Sequence, residues 1–166
     1  MPGKIDKAGS NQGTATDAEI QEALKVMRAM GQRVAFPTKW ITRQKGKGNR
    51  ITGYAFDLGN PWYIGQPVST VMELDVKINN TSIDPDLVSI VVREQKIPIK
   101  AARTMHELWW GFGEVAQVYI EGAALEKAIL KKANDLEVRL DMRSVSGYGL
   151  PGDHVDYVFQ GRMGVN

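Results

Sequence analysis

The chain has 166 residues, 43% of them apolar and 24% charged, with no cysteine and a net charge of +2. That length suits one domain with a real hydrophobic core, and the missing thiols exclude disulfides, thiolate nucleophiles and Cys-based metal sites. No apolar run approaches a membrane span and the opening Met-Pro-Gly-Lys-Ile-Asp-Lys lacks the apolar stretch of a secretory signal, so no membrane partner is expected and the cytoplasm is the expected compartment.

Residues 1–15 are polar and rich in Gly, Ser and Asn. That composition predicts a tail that is disordered or ordered only by a partner. Thr16-Asp-Ala-Glu19 then has the form of a capping box, in which hydroxyl and carboxylate satisfy orphan backbone N–H groups. Ile20, Leu24, Met27 and Met30/Gly31 recur at helical spacing, which predicts a helix over 16–32 with Gly31 as its stop. The stripe must be buried, either on the chain's own sheet or on a partner.

From residue 33 the period changes to two, and 33–166 is predicted to be a single β-sandwich domain. Arg33–Thr42 and Ile51–Leu58 read as strands joined by Arg43-Gln-Lys45-Gly-Lys47-Gly-Asn-Arg50. Charge is concentrated in this part: residues 1–50 hold ten Lys/Arg against four Asp/Glu, residues 51–166 eleven against fifteen. A nucleic-acid face would interleave its basic residues with aromatics. This Gly-rich run reads instead as a solvated hairpin turn, and no nucleic-acid partner is expected.

Further on, Met72, Leu74, Val76 and Ile78 alternate with Val71, Glu73, Asp75 and Lys77. Leu136, Val138, Leu140 and Met142 alternate in the same way with Glu137, Arg139, Asp141 and Arg143. One wet and one buried face is the mark of an antiparallel sheet packed on one side. Further strands are predicted at Leu87–Val92, Glu94–Ile99, Val115–Glu121 and Val155–Met163, with a helical turn at Thr104–Trp110 and a short helix within 122–134. About seven to nine short strands with this spacing give a mostly β fold, an antiparallel β-sandwich preceded by an amphipathic helix. Neither a βαβ rhythm nor a Gly-rich phosphate loop is present.

Candidate chemistry is thin. His106 stands beside Glu107, and His154 with Asp156 would share one strand face near Asp153. A metal site needs three or four convergent ligands, so His154 and Asp156 are the nearest approach to one. Glu73, Asp75, Glu137 and Asp141 fall on outward strand faces, where alternation with Lys77, Arg139 and Arg143 predicts cross-strand pairing. Catalysis would require burial or a close like charge to bring a carboxylate near neutrality. No catalytic residue is therefore assigned, and no cofactor is expected on this chain.

Aromatic residues gather in three Gly/Pro-bounded clusters: Asn60-Pro-Trp62-Tyr63-Ile-Gly-Gln-Pro67, Trp109-Trp110-Gly-Phe112-Gly and Tyr148-Gly-Leu-Pro-Gly. Loops at the end of a sandwich are where binding surfaces are commonly built. One cluster is expected in the core, with Trp109 or Phe112 plugging its end, and the other two exposed or covered by a partner. Trp62, Tyr63, Trp109, Trp110 and Tyr148 are the candidate ligand- or partner-facing residues.

The order of these features is itself distinctive. Gly53-Tyr-Ala-Phe56 leads into Pro61-Trp-Tyr-Ile-Gly-Gln-Pro67, then Met72-Glu-Leu-Asp-Val-Lys-Ile78 and the turn Asn79–Pro85. Trp110-Gly-Phe-Gly-Glu114, Leu136-Glu-Val-Arg-Leu-Asp-Met-Arg143 and Gly147-Tyr148 complete the series. Over roughly residues 50–163 the chain resembles the small β subunit of bacterial C-glycoside deglycosidases, while the helix-bearing segment before it is an addition. The resemblance implies a sandwich-like subunit assembled with a larger TIM-barrel subunit related to sugar isomerases. That larger subunit would hold a divalent metal, manganese above all, and the acid–base residues. Together they would act as a lyase on the C–C bond between a 3-oxo sugar and an aromatic aglycone such as a flavonoid. The ketone acidifies the neighbouring C–H, and its deprotonation lets the aglycone leave. The aromatic loops would then dock on the larger subunit and shape the aglycone side of its pocket.

Two other classes fit the residues: a stand-alone β-sandwich that binds sugars or aromatic ligands on its loops, and a scaffold that forms homo-oligomers through its helix.

Overall fold

The computed structural model describes residues 15–123, 125, 129–143 and 154–166. It is mostly β with one N-terminal helix. Helix α1 runs over Asp17–Ala35. Eleven strands follow: β1 Trp40–Lys45, β2 Ile51–Gly59, β3 Gln66–Pro67, β4 Val71–Ile78, β5 Thr81–Ser82, β6 Val88–Val92, β7 Gln95–Pro98, β8 Trp109–Trp110, β9 Val115–Glu121, β10 Ala133–Arg143 and β11 His154–Val165. None of the described helices is long and apolar enough to cross a membrane.

The capping box forms as expected. Thr16 Oγ1 accepts from the Glu19 N–H at 3.4 Å, and Glu19 Oε2 accepts from the Thr16 N–H at 2.7 Å. Gly31 does not stop the helix, however, and residues 33–35 are helical rather than strand. The helix ends at Phe36, the residue before Pro37, whose φ −120° and ψ 83° lie outside the helical region that a following proline disfavours. Gly31 is instead a buried contact point: a Cβ there would lie 3.1 Å from the Tyr157 ring and from Pro61. The inward stripe is Ile20, Leu24, Met27, Gly31 and Ala35, and it lies on the chain's own sheet.

Nine strands form one curled sheet in the order β5-β4-β10-β11-β1-β2-β9-β6-β7, and β3 with β8 forms a separate two-stranded ladder. The expected mostly β fold is present, with its strands joined into one large curled sheet. The device is β1. Trp40 and Ile41 pair in parallel with Gly164 and Val165 of β11, and Thr42–Lys45 then pair antiparallel with β2. The inward residues of both halves merge into one cluster. It includes Leu74, Val76 and Ile78, Val138 and Leu140, Tyr157 and Phe159, Tyr54 and Phe56, and Val118 and Ile120. Burying each such side chain contributes about 1.5–3 kcal/mol.

Because β1 reaches only the last residues of β11, the upstream edge of β11 lacks a strand neighbour. Helix α1 covers it. Arg28 Nε donates to the Asp156 carbonyl at 2.9 Å, and Gln32 bonds the backbone of Gln160. Phe36 closes the gap between the halves, edge-on to Phe56 of β2 at 6.2 Å and Phe159 of β11 at 6.4 Å.

The alternation in β10 is as expected. In β4 it is interrupted: Asp141 pairs with Glu73 but Met142 pairs with Val71, so Met72 is an extra residue in a bulge. Val71 takes the inward position expected for Met72, which is only partly buried. The cross-strand charge pairing also forms, with Lys77 to Glu137 and Arg139 to Asp156, each at 3.0 Å. No helical turn forms at Thr104–Trp110; a 3-10 segment ends at Thr104 and β8 follows. Of the helix expected within 122–134, Ile129 N–H donates to the Leu125 carbonyl, and β10 begins at Ala133.

Candidate functional site

The two aromatic clusters within the described residues are each divided between core and surface. In the loop after β2, Asn60 is buried and its carboxamide organises the turn. Its Oδ1 accepts from the Trp62 N–H at 2.9 Å, while its Nδ2 donates to the carbonyls of Trp110 and Gly111, both at 3.0 Å. That arrangement places Trp62 inside, 2% exposed, and Tyr63 outside, 48% exposed. In β8 the two-residue period does the same: Trp109 is exposed and Trp110 buried. Neither cluster is wholly core. Phe112 does not plug the end of the core, a position Trp110 takes; at 71% exposed it stands out from the surface. Tyr148 lies outside the described residues.

The loop that presents Phe112 is clamped. Glu114 Oε2 accepts from the Gly111 N–H at 2.6 Å, and the Glu114 carbonyl accepts from Trp110 Nε1 at 3.0 Å. Arg93 grips the same carboxylate through Nε and Nη2, at 3.0 and 3.2 Å. The Arg93 hydrogen bond, opposed in part by desolvation and aided by the Gly111 N–H, holds the Glu114 carboxyl below its ordinary range. Gly113, at φ +69°, completes the turn in a backbone region that disfavours other residues.

Beside this loop lies a groove of about 320 Å³. Its helix wall is Met30, Arg33 and Val34; its sheet wall is the end of β2, the Asn60–Tyr63 turn, Phe112, Gly113 and Val115. A methyl group on Gly59 would overlap the Val34 carbonyl, so glycine there lets the helix sit directly on the strand. Met30, Val34, Tyr63, Phe112 and Val115 are all exposed, in one contiguous patch. Arg33 is the one charged side chain in the lining. A guanidinium offers donors and no acceptor, so this groove is equipped to bind an apolar group beside an anion. It has no carboxylate or imidazole to move a proton.

Met30, Arg33, Val34 and Phe112 were not anticipated as site residues. A signal for Met30 and Val34 was present: Val26, Met30 and Val34 follow one another at i, i+4 and i+8, a second apolar stripe beside the inward one.

The metal-ligand candidates face elsewhere. His154 Nδ1 lies 3.2 Å from both carboxylate oxygens of Asp141, and Asp156 is held by Arg139. Asp153 lies outside the described residues, and His106 is exposed in the loop before β8. Among the described residues, no three His, Asp or Glu side chains converge as metal ligands would.

The sheet wall of the groove falls within the part of the chain that has relatives. A model of the family described as C-glycoside deglycosidase beta subunit matches residues 38–127. The chain is also 29% identical over 114 residues to the 3'-dehydrocarminate deglycosidase beta subunit of a Microbacterium species, an alignment spanning 69% of this chain and 84% of that protein. With more than half of its length matched by the family model, the chain belongs to the C-glycoside deglycosidase beta subunit family.

Proposed function

We propose that this chain is the accessory subunit of a cytoplasmic C-glycoside deglycosidase, a lyase whose catalytic groups sit on a larger TIM-barrel subunit. The substrate is a 3-oxo C-glycoside with an aromatic aglycone, as the dehydro form named for the Microbacterium relative suggests. The observation that carries the reading is the family match over residues 38–127. The described residues do not fit a divalent metal, since His154 and Asp156 are each engaged by a different partner. The proposal therefore places the manganese or similar ion on the larger subunit, where it would stabilise enolate charge. This chain's own part is to bind that subunit and help shape the aglycone side of the shared pocket.

The test is reconstitution. The chain and the larger subunit are purified separately and mixed, and aglycone release from a 3-oxo C-glycoside is followed by chromatography. Release is expected from the mixture and not from this chain alone. Turnover by the isolated chain, or failure of the two to associate, overturns the proposal. Quenching of the four tryptophans by sugar or flavonoid in the isolated chain would favour a stand-alone binding module instead.

A further inference from the structure

The groove between α1 and the two loops leaves apolar surface exposed in an unusual concentration. Single exposed hydrophobics are ordinary, but a contiguous patch marks a site that something covers. Two features identify what covers it. Phe112 is held out from the surface by a loop whose backbone is bonded to Asn60, Glu114 and, through Glu114, Arg93. A rigid, protruding aromatic ring is a pre-ordered anchor for a protein surface, because little side-chain or loop entropy remains to be lost on contact. The second feature is Arg33, which has no ion pair or hydrogen bond among the described residues and is the lone charge in the lining. If a second copy covered the groove about a two-fold axis, two Arg33 guanidinium groups would be brought into one apolar patch with no lining carboxylate between them. A different protein that supplies the carboxylate has no such cost.

We infer that the groove is the face on which the larger subunit docks: that subunit places an apolar side chain between Met30, Val34 and Tyr63 with a carboxylate against Arg33, and receives Phe112 in return. The inference rests on the accessory-subunit reading above and adds the location and chemistry of the contact. It also gives α1 a role. The sheet wall lies in the family-matched stretch and the helix wall precedes it, so α1 enlarges a docking face that the sheet begins.

The experiment uses the full chain co-expressed with the larger subunit. Phe112→Asp, Met30→Glu and Arg33→Glu are compared with Val158→Asp, a change of an exposed residue on β11 away from the groove. All four positions are exposed, and circular dichroism melting confirms that each variant folds. Affinity for the larger subunit is expected to fall about 30-fold or more for Phe112→Asp and about tenfold for Arg33→Glu, with Val158→Asp unchanged. A photo-cross-linking residue at position 112 is expected to capture the larger subunit. If the wild-type pair associates but the groove variants bind within about threefold of it, the docking inference fails and the accessory-subunit reading stands. Capture of a second copy of this chain also overturns the inference. If the wild-type pair does not associate at all, both fail.

Discussion

The side chain of Gln32 takes the place of a missing strand beside Gln160. Its Oε1 accepts from the Gln160 N–H at 3.0 Å and its Nε2 donates to the Gln160 carbonyl at 3.0 Å, the two bonds an adjacent strand would make. An unpaired strand edge is a template for pairing with another chain, and α1 closes this one with an amide. Gln32→Ala is expected to destabilise the fold by about 1–2 kcal/mol, since two partly solvated hydrogen bonds are lost. Hydrogen exchange at the Gln160 amide should quicken before global unfolding. Unchanged exchange there would show that the helix does not protect this edge.

Trp109 and Trp110 should respond oppositely to the same substitution. Trp110 is 1% exposed, so Trp110→Ala is expected to cost about 3–5 kcal/mol through the cavity it leaves. Trp109→Ala should stay within about 0.5 kcal/mol, as for other surface changes. Chemical denaturation of the two variants measures both. Similar losses would mean that β8 is twisted from the arrangement described.

The clamp on the Phe112 loop carries a pH dependence. The native pKa of Glu114 lies below its unfolded value, chiefly through the Arg93 hydrogen bond. The stabilisation is therefore present above the unfolded carboxylate pKa, about 4.3, and is lost as pH falls through the lower native value. Wild type is expected to exceed Glu114→Gln by about 0.5–1 kcal/mol at neutral pH, a modest figure because the pair is partly solvated. The gap should close below about pH 4. Denaturation midpoints measured across pH 3–7 test this; a gap that persists in acid would point to the backbone bond to Gly111 instead.

Tyr157 is fully buried, and its hydroxyl has no hydrogen-bond partner among the described residues. Burial pushes its pKa well above the usual phenol range, with Arg28 only partly opposing the shift. Removing an unpaired buried hydroxyl relieves its desolvation cost, so Tyr157→Phe is expected to be neutral or stabilising by up to about 1 kcal/mol. A thermal melt decides it, and a clear loss of stability would show that the hydroxyl is paired in solution.

What the sequence determined by itself is what local physics determines. The Thr16–Glu19 capping box, the alternation in β10 and most of β4, and the strands at Ile51 and Val115 were legible because hydrophobic period and capping act over a few neighbours. The ordered short patterns were enough to recognise the family. Other features depended on residues far apart in the chain. Gly31 read as a stop because nothing local shows that Tyr157 and Pro61 need the space of its missing side chain. Which ring of each aromatic pair turns inward is decided by contacts such as that of Asn60 with the carbonyls of Trp110 and Gly111, some fifty positions away. The groove, likewise, exists only because β2 pairs with β9, which sets Gly59 beside Val115, and because α1 packs across Gly59 through Val34. Met30 and Val34 fall on a second helical stripe, but only the packing of the rest leaves the groove's apolar residues uncovered.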